Sequence, residues 1–255
     1  MIRTLFPAAF LAISAVASAQ IPDSEVPPGS RVSKKVEKTP YNDSEVRRVQ
    51  AKFGTCVVKK RRDAARRYLL DHATHGSDDR DRSKLIGVLA DGDCLIEAAK
   101  ATSDVHMTLP GDTMRYALAE ALIRSDLSQQ RPSGFDQIPR LAQPELDESD
   151  YALKPREKPR PARLAELEKK RSEGAITVFL ASFGECVVRS SPAMSRALLD
   201  TAAGSTEEST NFAALNETLG SCIGVDGQFR LNKSNTRGSI AMNYYRLASA
   251  SVTAR

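Results

Sequence analysis

Four cysteines, three histidines and a run of aspartates are the side chains of this 255-residue chain able to bridge covalently, hold a metal or move a proton. Cys56 and Cys186 stand in near-identical hexapeptides, Phe53-Gly54-Thr55-Cys56-Val57-Val58 and Phe183-Gly184-Glu185-Cys186-Val187-Val188, and Cys94 and Cys222 follow each at a distance. Structural zinc would call for a Cys-x-x-Cys pair or a second ligand close to each cysteine, and neither copy has one. Pairing as disulfides is the other chemistry open to them, and it belongs to an oxidising compartment. Four cysteines allow three connectivities.

The histidines are the next candidates. His72-Ala73-Thr74-His75, with Asp78, Asp79 and Asp81 beside it, has the composition of a metal or acid-base cluster, yet the second copy carries Thr201-Ala202-Ala203-Gly204 there. A function common to both copies cannot use it, so a polar helix end running into a loop is the expectation. Asp91, Asp93 and Glu97 imitate part of a calcium loop without the remaining ligand spacing, which reads as a turn ahead of a bridge. No Gly-x-Ser-x-Gly is present, and no serine has a strand-to-helix setting. Asp71 and Asp200 occur in both copies and are expected to end helices or make local hydrogen bonds, a paired-carboxylate role across the copies being the alternative. Arg115 with Arg237, and Arg124 with Arg246, are also shared and read as solvated helix faces. No catalytic, cofactor-binding or metal-ligating residue is assigned.

The elements that must position these side chains are themselves repeated. Beyond the hexapeptide, Leu69-Leu70-Asp71 matches Leu198-Leu199-Asp200, Cys94 matches Cys222, and the block Arg115 to Arg124 matches Arg237 to Arg246. The order is kept and the gaps fall at turns, so the chain reads as a tandem duplication, with a unit longer than common solenoid repeats. If each copy once folded by itself, the pairs are Cys56 with Cys94 and Cys186 with Cys222. Each bridge closes a loop of about forty residues, worth about 4 kcal/mol on chain-entropy grounds.

Val46, Val49, Phe53, Cys56 and Val57 recur at steps of three and four, a helical stripe with Cys56 on its buried face. Further helices are expected from about Asp63, from Ser83, and after Pro110-Gly111-Asp112. In the second copy a charged helix from Ala162 runs into Cys186, Pro192 opens the next, and helices follow at Thr206 to Gly220 and Arg237 to Ser249. Val105 to Leu109 and Gln228 to Leu231 are expected as short extended pieces. The fold class is therefore all-α: two small four-helix units, each with one internal disulfide, a size at which bridges compensate for limited burial.

Outside the units, residues 1–19 have the form of a signal peptide, with Arg3, an apolar run and Ala17-Ser18-Ala19 before Gln20. Residues 20–42 read as a flexible leader, 43–127 as the first repeat, 128–161 as a proline-rich linker, 162–250 as the second repeat and 251–255 as a tail. No later segment is apolar enough to span a bilayer. The expected location is periplasmic or secreted. Net charge is +5, falling by one when Arg3 leaves with the signal. The cations gather at Lys59-Lys60-Arg61-Arg62, Arg66-Arg67 and Lys154 to Arg163, patches suited to phosphate or acidic surfaces. Export makes nucleic acid an unexpected partner, and aromatic residues are not interleaved with the cations.

The hexapeptide, the Leu-Leu-Asp block and Ala117-Leu118-Ala119-Glu120-Ala121-Leu122 resemble a group of small exported bacterial proteins with no assigned activity. The resemblance covers both copies, but not the leader or linker, and the second copy departs from it at Ser239 to Tyr245. It implies location and duplicated helical form alone. The expected function is an exported, disulfide-stapled binding or structural module whose partner is an envelope protein or an anionic envelope component. The alternatives are a hydrolase-type site between the repeats and a basic surface binder of anionic polymer or lipid.

Overall fold

The computed structural model of the chain describes residues 43–70, 79–99, 111–223 and 231–253. Among these, every regular element is helical: α1 Asp43–Leu70, α2 Asp79–Leu89, α3 Gly92–Ala99, α4 Gly111–Asp126, α5 Pro161–Ser190, α6 Pro192–Asp200, α7 Thr206–Ala214, α8 Asn216–Ile223 and α9 Lys233–Thr253, with short 3-10 turns at Phe135–Gln137 and Glu148–Tyr151. The extended pieces expected at Val105 to Leu109 and Gln228 to Leu231 lie outside the described residues, apart from Leu231, which is in no strand.

Local signals account for several boundaries. α1 bends at Arg61, where φ −137° and ψ 40° leave the helical region, close to the break expected from the pattern. α5 ends in a comparable conformation at Ser191, φ −144° and ψ 67°, and Pro192 then opens α6, where its missing N–H costs nothing. Ser205 caps α7 by accepting from the Glu208 amide. α2 starts ahead of the expected Ser83 cap, and Ser83 is an exposed residue within it. The Asp91 turn opens α3, since its carboxylate accepts from Cys94 N at 3.0 Å.

Both disulfides are present, Cys56–Cys94 tying α1 to α3 across 38 residues and Cys186–Cys222 tying α5 to α8 across 36. No free cysteine remains.

α4 and α9 pack on each other at the centre, α1 lies on α4, and α5 lies on α9. One cluster of buried apolar side chains runs through all of them, from Phe53, Val57 and Leu118 to Val187, Ile240 and Tyr244. Two crossings are set by glycine. A Cβ on Gly54 would lie 2.2 Å from the Ala117 carbonyl oxygen, and one on Gly184 would lie 2.2 Å from Ser239 Oγ and 2.5 Å from Ser239 O. Glycine in the hexapeptide is thus what lets α1 approach α4, and α5 approach α9, at backbone distance.

The proline-rich stretch between α4 and α5 differs from a free linker. Phe135 is 1% exposed and meets the Tyr244 ring edge-on at 5.4 Å. The segment is then held residue by residue along the groove between α5 and α9, as described below. Each proline removes a backbone donor, so the stretch closes its own hydrogen bonds only at short turns and leaves carbonyls such as those of Ile138, Pro139 and Ala142 for side chains of the helices beneath.

Candidate functional site

The shared arginines are the largest departure from the sequence reading. Arg237 is 1% exposed and Arg115 and Arg246 are also buried; only Arg124 keeps substantial exposure. The solvated-face expectation for Arg115, Arg237 and Arg246 is therefore corrected: α4 and α9 bury these positions because they form the centre of the molecule rather than its rim.

Arg237 organises a buried ionic knot. Its guanidinium donates to Glu120 Oε1 and Oε2 at 3.0 and 3.1 Å, to Glu208 Oε1 at 3.2 Å, and to the carbonyls of Leu198 and Thr201 at 2.9 Å each. Arg47 Nη1 donates to both Glu208 oxygens at 2.7 Å, and the Gly204 amide donates to Oε2 at 2.8 Å. Glu208 thereby has its charge matched and its lone pairs occupied, the condition for burying a carboxylate. The crevice beside the knot, lined by Arg47, Tyr116, Glu120 and Arg237 among others, holds only about 20 Å³. That is room for a water and not for a substrate.

The remaining candidates resolve individually. His72, His75, Asp71 and Asp78 lie outside the described residues, as does the third histidine, His106. Asp81 is exposed and pairs with Lys84 at 3.2 Å. Asp200 accepts from Arg196 at 2.9 Å and Arg131 at 3.1 Å. Lys60 reaches Asp91 at 3.2 Å, and hydrogen bonds from Cys94 N and Lys60 hold that carboxyl below its usual range. Among the described residues, no group of three His, Cys, Asp or Glu side chains is placed to hold a metal, and no helix is long and apolar enough to cross a membrane.

Among the described residues an open cleft of ligand size, about 890 Å³, is lined chiefly by the first half. Ala51, Thr55, Cys56 and Ala98 contribute to its floor, so the Cys56–Cys94 bridge underlies it; Arg48, Lys52, Lys59, Lys60 and Arg124 line it, with Glu97 as its single acid. Arg48, Lys52, Thr55 and Lys59 are all exposed and follow helical spacing along α1. Among the described residues no carboxylate pairs with Arg48, Lys52 or Lys59. This stripe was legible as a basic cluster only at Lys59; Arg48 and Lys52 join it through helix geometry, and Arg124 through the packing of α4 on α1.

The matching groove between α5 and α9 is occupied. Arg189, three residues past Cys186 as Lys59 is three past Cys56, donates to the carbonyls of Phe135, of Ile138 at 2.8 Å and of Pro139 at 2.8 Å. Glu185, at the position of Thr55, accepts from Leu141 N at 3.0 Å and Gln143 Nε2 at 2.5 Å. Burial would raise the Glu185 carboxyl, but the hydrogen bonds from Leu141, Gln143 and Arg189 outweigh it and hold the group low. Arg246, at the position of Arg124, donates to Ala142 O at 2.5 Å.

The chain matches no protein-family model, no curated protein and no solved structure.

Proposed function

We propose that this chain is an exported, disulfide-stapled tandem module that binds an acidic partner through the cleft lined chiefly by its first half. The observation that carries the reading is the stripe of Arg48, Lys52 and Lys59, exposed, without a carboxylate partner among the described residues, and set in a concave surface with Arg124. Surface cations scattered singly are ordinary, whereas cations converging on one cleft focus a positive potential there. Two internal disulfides and an expected signal at residues 1–19 support an oxidising compartment, the periplasm or the exterior, and accord with the resemblance to exported bacterial proteins.

Duplication of an ancestral unit is part of the same reading. Its support is the paired bridges, the helix interruptions at Arg61 and Ser191, and the close approach of Gly54 to Ala117 and of Gly184 to Ser239. In addition Tyr116 and Gly238, matching positions of α4 and α9, touch each other: a Cβ on Gly238 would lie 2.2 Å from the Tyr116 ring. Contact between matching positions is the mark of a two-fold interface. The chain is then a single-polypeptide version of a two-fold pair, in which one groove has been filled and the other left open.

Retention of the mature protein on an anionic matrix tests the acidic-ligand reading. Salt should elute it, and reversing Lys52 and Lys59 to glutamate should move elution to markedly lower salt, while reversing the exposed Arg67 and Lys158 outside the cleft should move it far less. Equal effects from the two pairs would dismiss the cleft as the binding surface.

A further inference from the structure

From the filled groove we infer the chemical class of ligand for the open one: an extended, proline-containing acidic segment of a partner polypeptide, bound along α1 and α4 with its backbone carbonyls on Lys59 and Arg124. The inference rests on the acidic-ligand reading above and narrows it.

The α5–α9 groove shows what this architecture grips. Its guest is residues 135–143 of the chain itself, and most of its polar contacts reach backbone: Arg189 takes three carbonyls, Arg246 takes the Ala142 carbonyl, and Glu185 takes the Leu141 amide. A continuous α-helix would have spent those groups internally; past the 3-10 turn at Phe135–Gln137 the guest forms no regular element, and its backbone groups are open to the helices beneath. Proline keeps the guest extended and lowers the entropy lost on docking. The α1–α4 groove keeps the two carbonyl-seeking cations at matching positions, Lys59 and Arg124. Both are donors without acceptor capacity, as Arg189 and Arg246 are.

The differences between the grooves define the guest's charge. Thr55 replaces Glu185, which removes the acid that receives an amide and the Gln143 side chain. Lys52 stands where the second half has Ser182, and Arg48 where it has Val178. At these three positions the open groove trades one carboxylate and two uncharged residues for a hydroxyl and two cations, with Glu97 as its one acid. A guest with carboxylates in place of Gln143 and its neighbours is complementary to it, and the native linker is not. Ala202 and Ala203 of the α6–α7 connection form part of the wall, so the site draws on both halves.

The test uses the full mature chain with both bridges intact. The probe is a fluorescent synthetic peptide with the sequence of residues 134–147 carrying Arg140→Glu and Gln143→Glu, and the controls are the same residues in reversed order and inorganic polyphosphate. The forward peptide should bind saturably, at least about tenfold more tightly than the reversed one. Lys59→Glu should abolish binding and Lys59→Arg should retain it, the second variant serving if the first disturbs folding. A photo-crosslinker at the Pro139 position of the peptide should label α1. Equal binding of forward and reversed peptides, or binding of polyphosphate alone, overturns the peptide inference and leaves the acidic-ligand reading standing. Binding of neither peptide nor polyphosphate overturns both. Crosslinks confined to α5 or α9 overturn the assignment to the open groove.

Discussion

Asp126 shows how far a single side chain here departs from its appearance in the sequence. Its carboxylate, 8% exposed, accepts from Arg62 Nε at 2.7 Å, Arg66 Nε at 2.8 Å, Ser125 Oγ at 2.7 Å and Tyr245 Oη at 2.8 Å. Burial alone would raise its pKa, but these hydrogen bonds, that from Arg66 foremost, bring it down to about 2. Burial and then the bond to Asp126 push the Tyr245 phenol up to about 12. A carboxyl with a depressed folded pKa adds stability that is present above its unfolded value, near 4, and is lost as pH falls towards 2. The contribution is about 2 kcal/mol. Asp126→Asn should therefore lower stability at neutral pH by about that amount and flatten the dependence between about pH 4 and pH 2, measured by urea denaturation across that range. An unchanged acid limb in the variant would show that Asp126 is not the group responsible. Two of the cations in the Lys59 to Arg67 cluster, Arg62 and Arg66, are thus committed to structure. The cleft cations are different ones.

At the scale of elements, the hexapeptide glycines decide how closely helices cross. Alanine is favoured over glycine within a helix by about 1 kcal/mol, so substitution in an isolated helix would stabilise it. Here the added methyl at Gly54 meets the Ala117 backbone at 2.2 Å, and backbone cannot rotate aside as a side-chain tip can. Gly54→Ala and Gly184→Ala should each destabilise by about 2 kcal/mol or more, the overpacking cost exceeding the propensity gain. Thermal melts followed by circular dichroism check this, and a raised midpoint in either variant would refute the close crossing. Periodicity in the sequence located α1, α4 and the α5 to α6 junction well, because a buried stripe is written in the residues of the helix itself. It did not reveal that residues 128–161 are docked. The signal for that was Phe135 and Tyr151, two aromatics among prolines, and aromatic residues are scarce enough in this chain, at 5%, for their presence in a linker to be informative.

For the whole molecule, the α4–α9 contact makes one core from the two halves of the chain. The second half by itself would expose the α9 face bearing Gly238 and Tyr245, and would leave Arg237 buried without Glu120. Residues 162–255 expressed alone should accordingly fail to melt cooperatively as a monomer, by calorimetry together with size-exclusion chromatography. A sharp monomeric transition would mean that the halves are independent after all. What the sequence determined by itself was local or repeated: helical content, from apolar spacing, and cysteine pairing, because a stretch that folds by itself closes its bridge on its own second cysteine. What only the tertiary structure decided was every property that joins residues far apart in the chain. Arg237 and Glu120 lie 117 residues apart and Arg47 and Glu208 lie 161 apart, and no spacing rule pairs them. Whether a shared arginine is solvated or buried, and whether a groove is filled or open, depends on which helix arrives opposite it. That is set by the packing of both halves together, where the cost of burying an unpaired charge selects one arrangement.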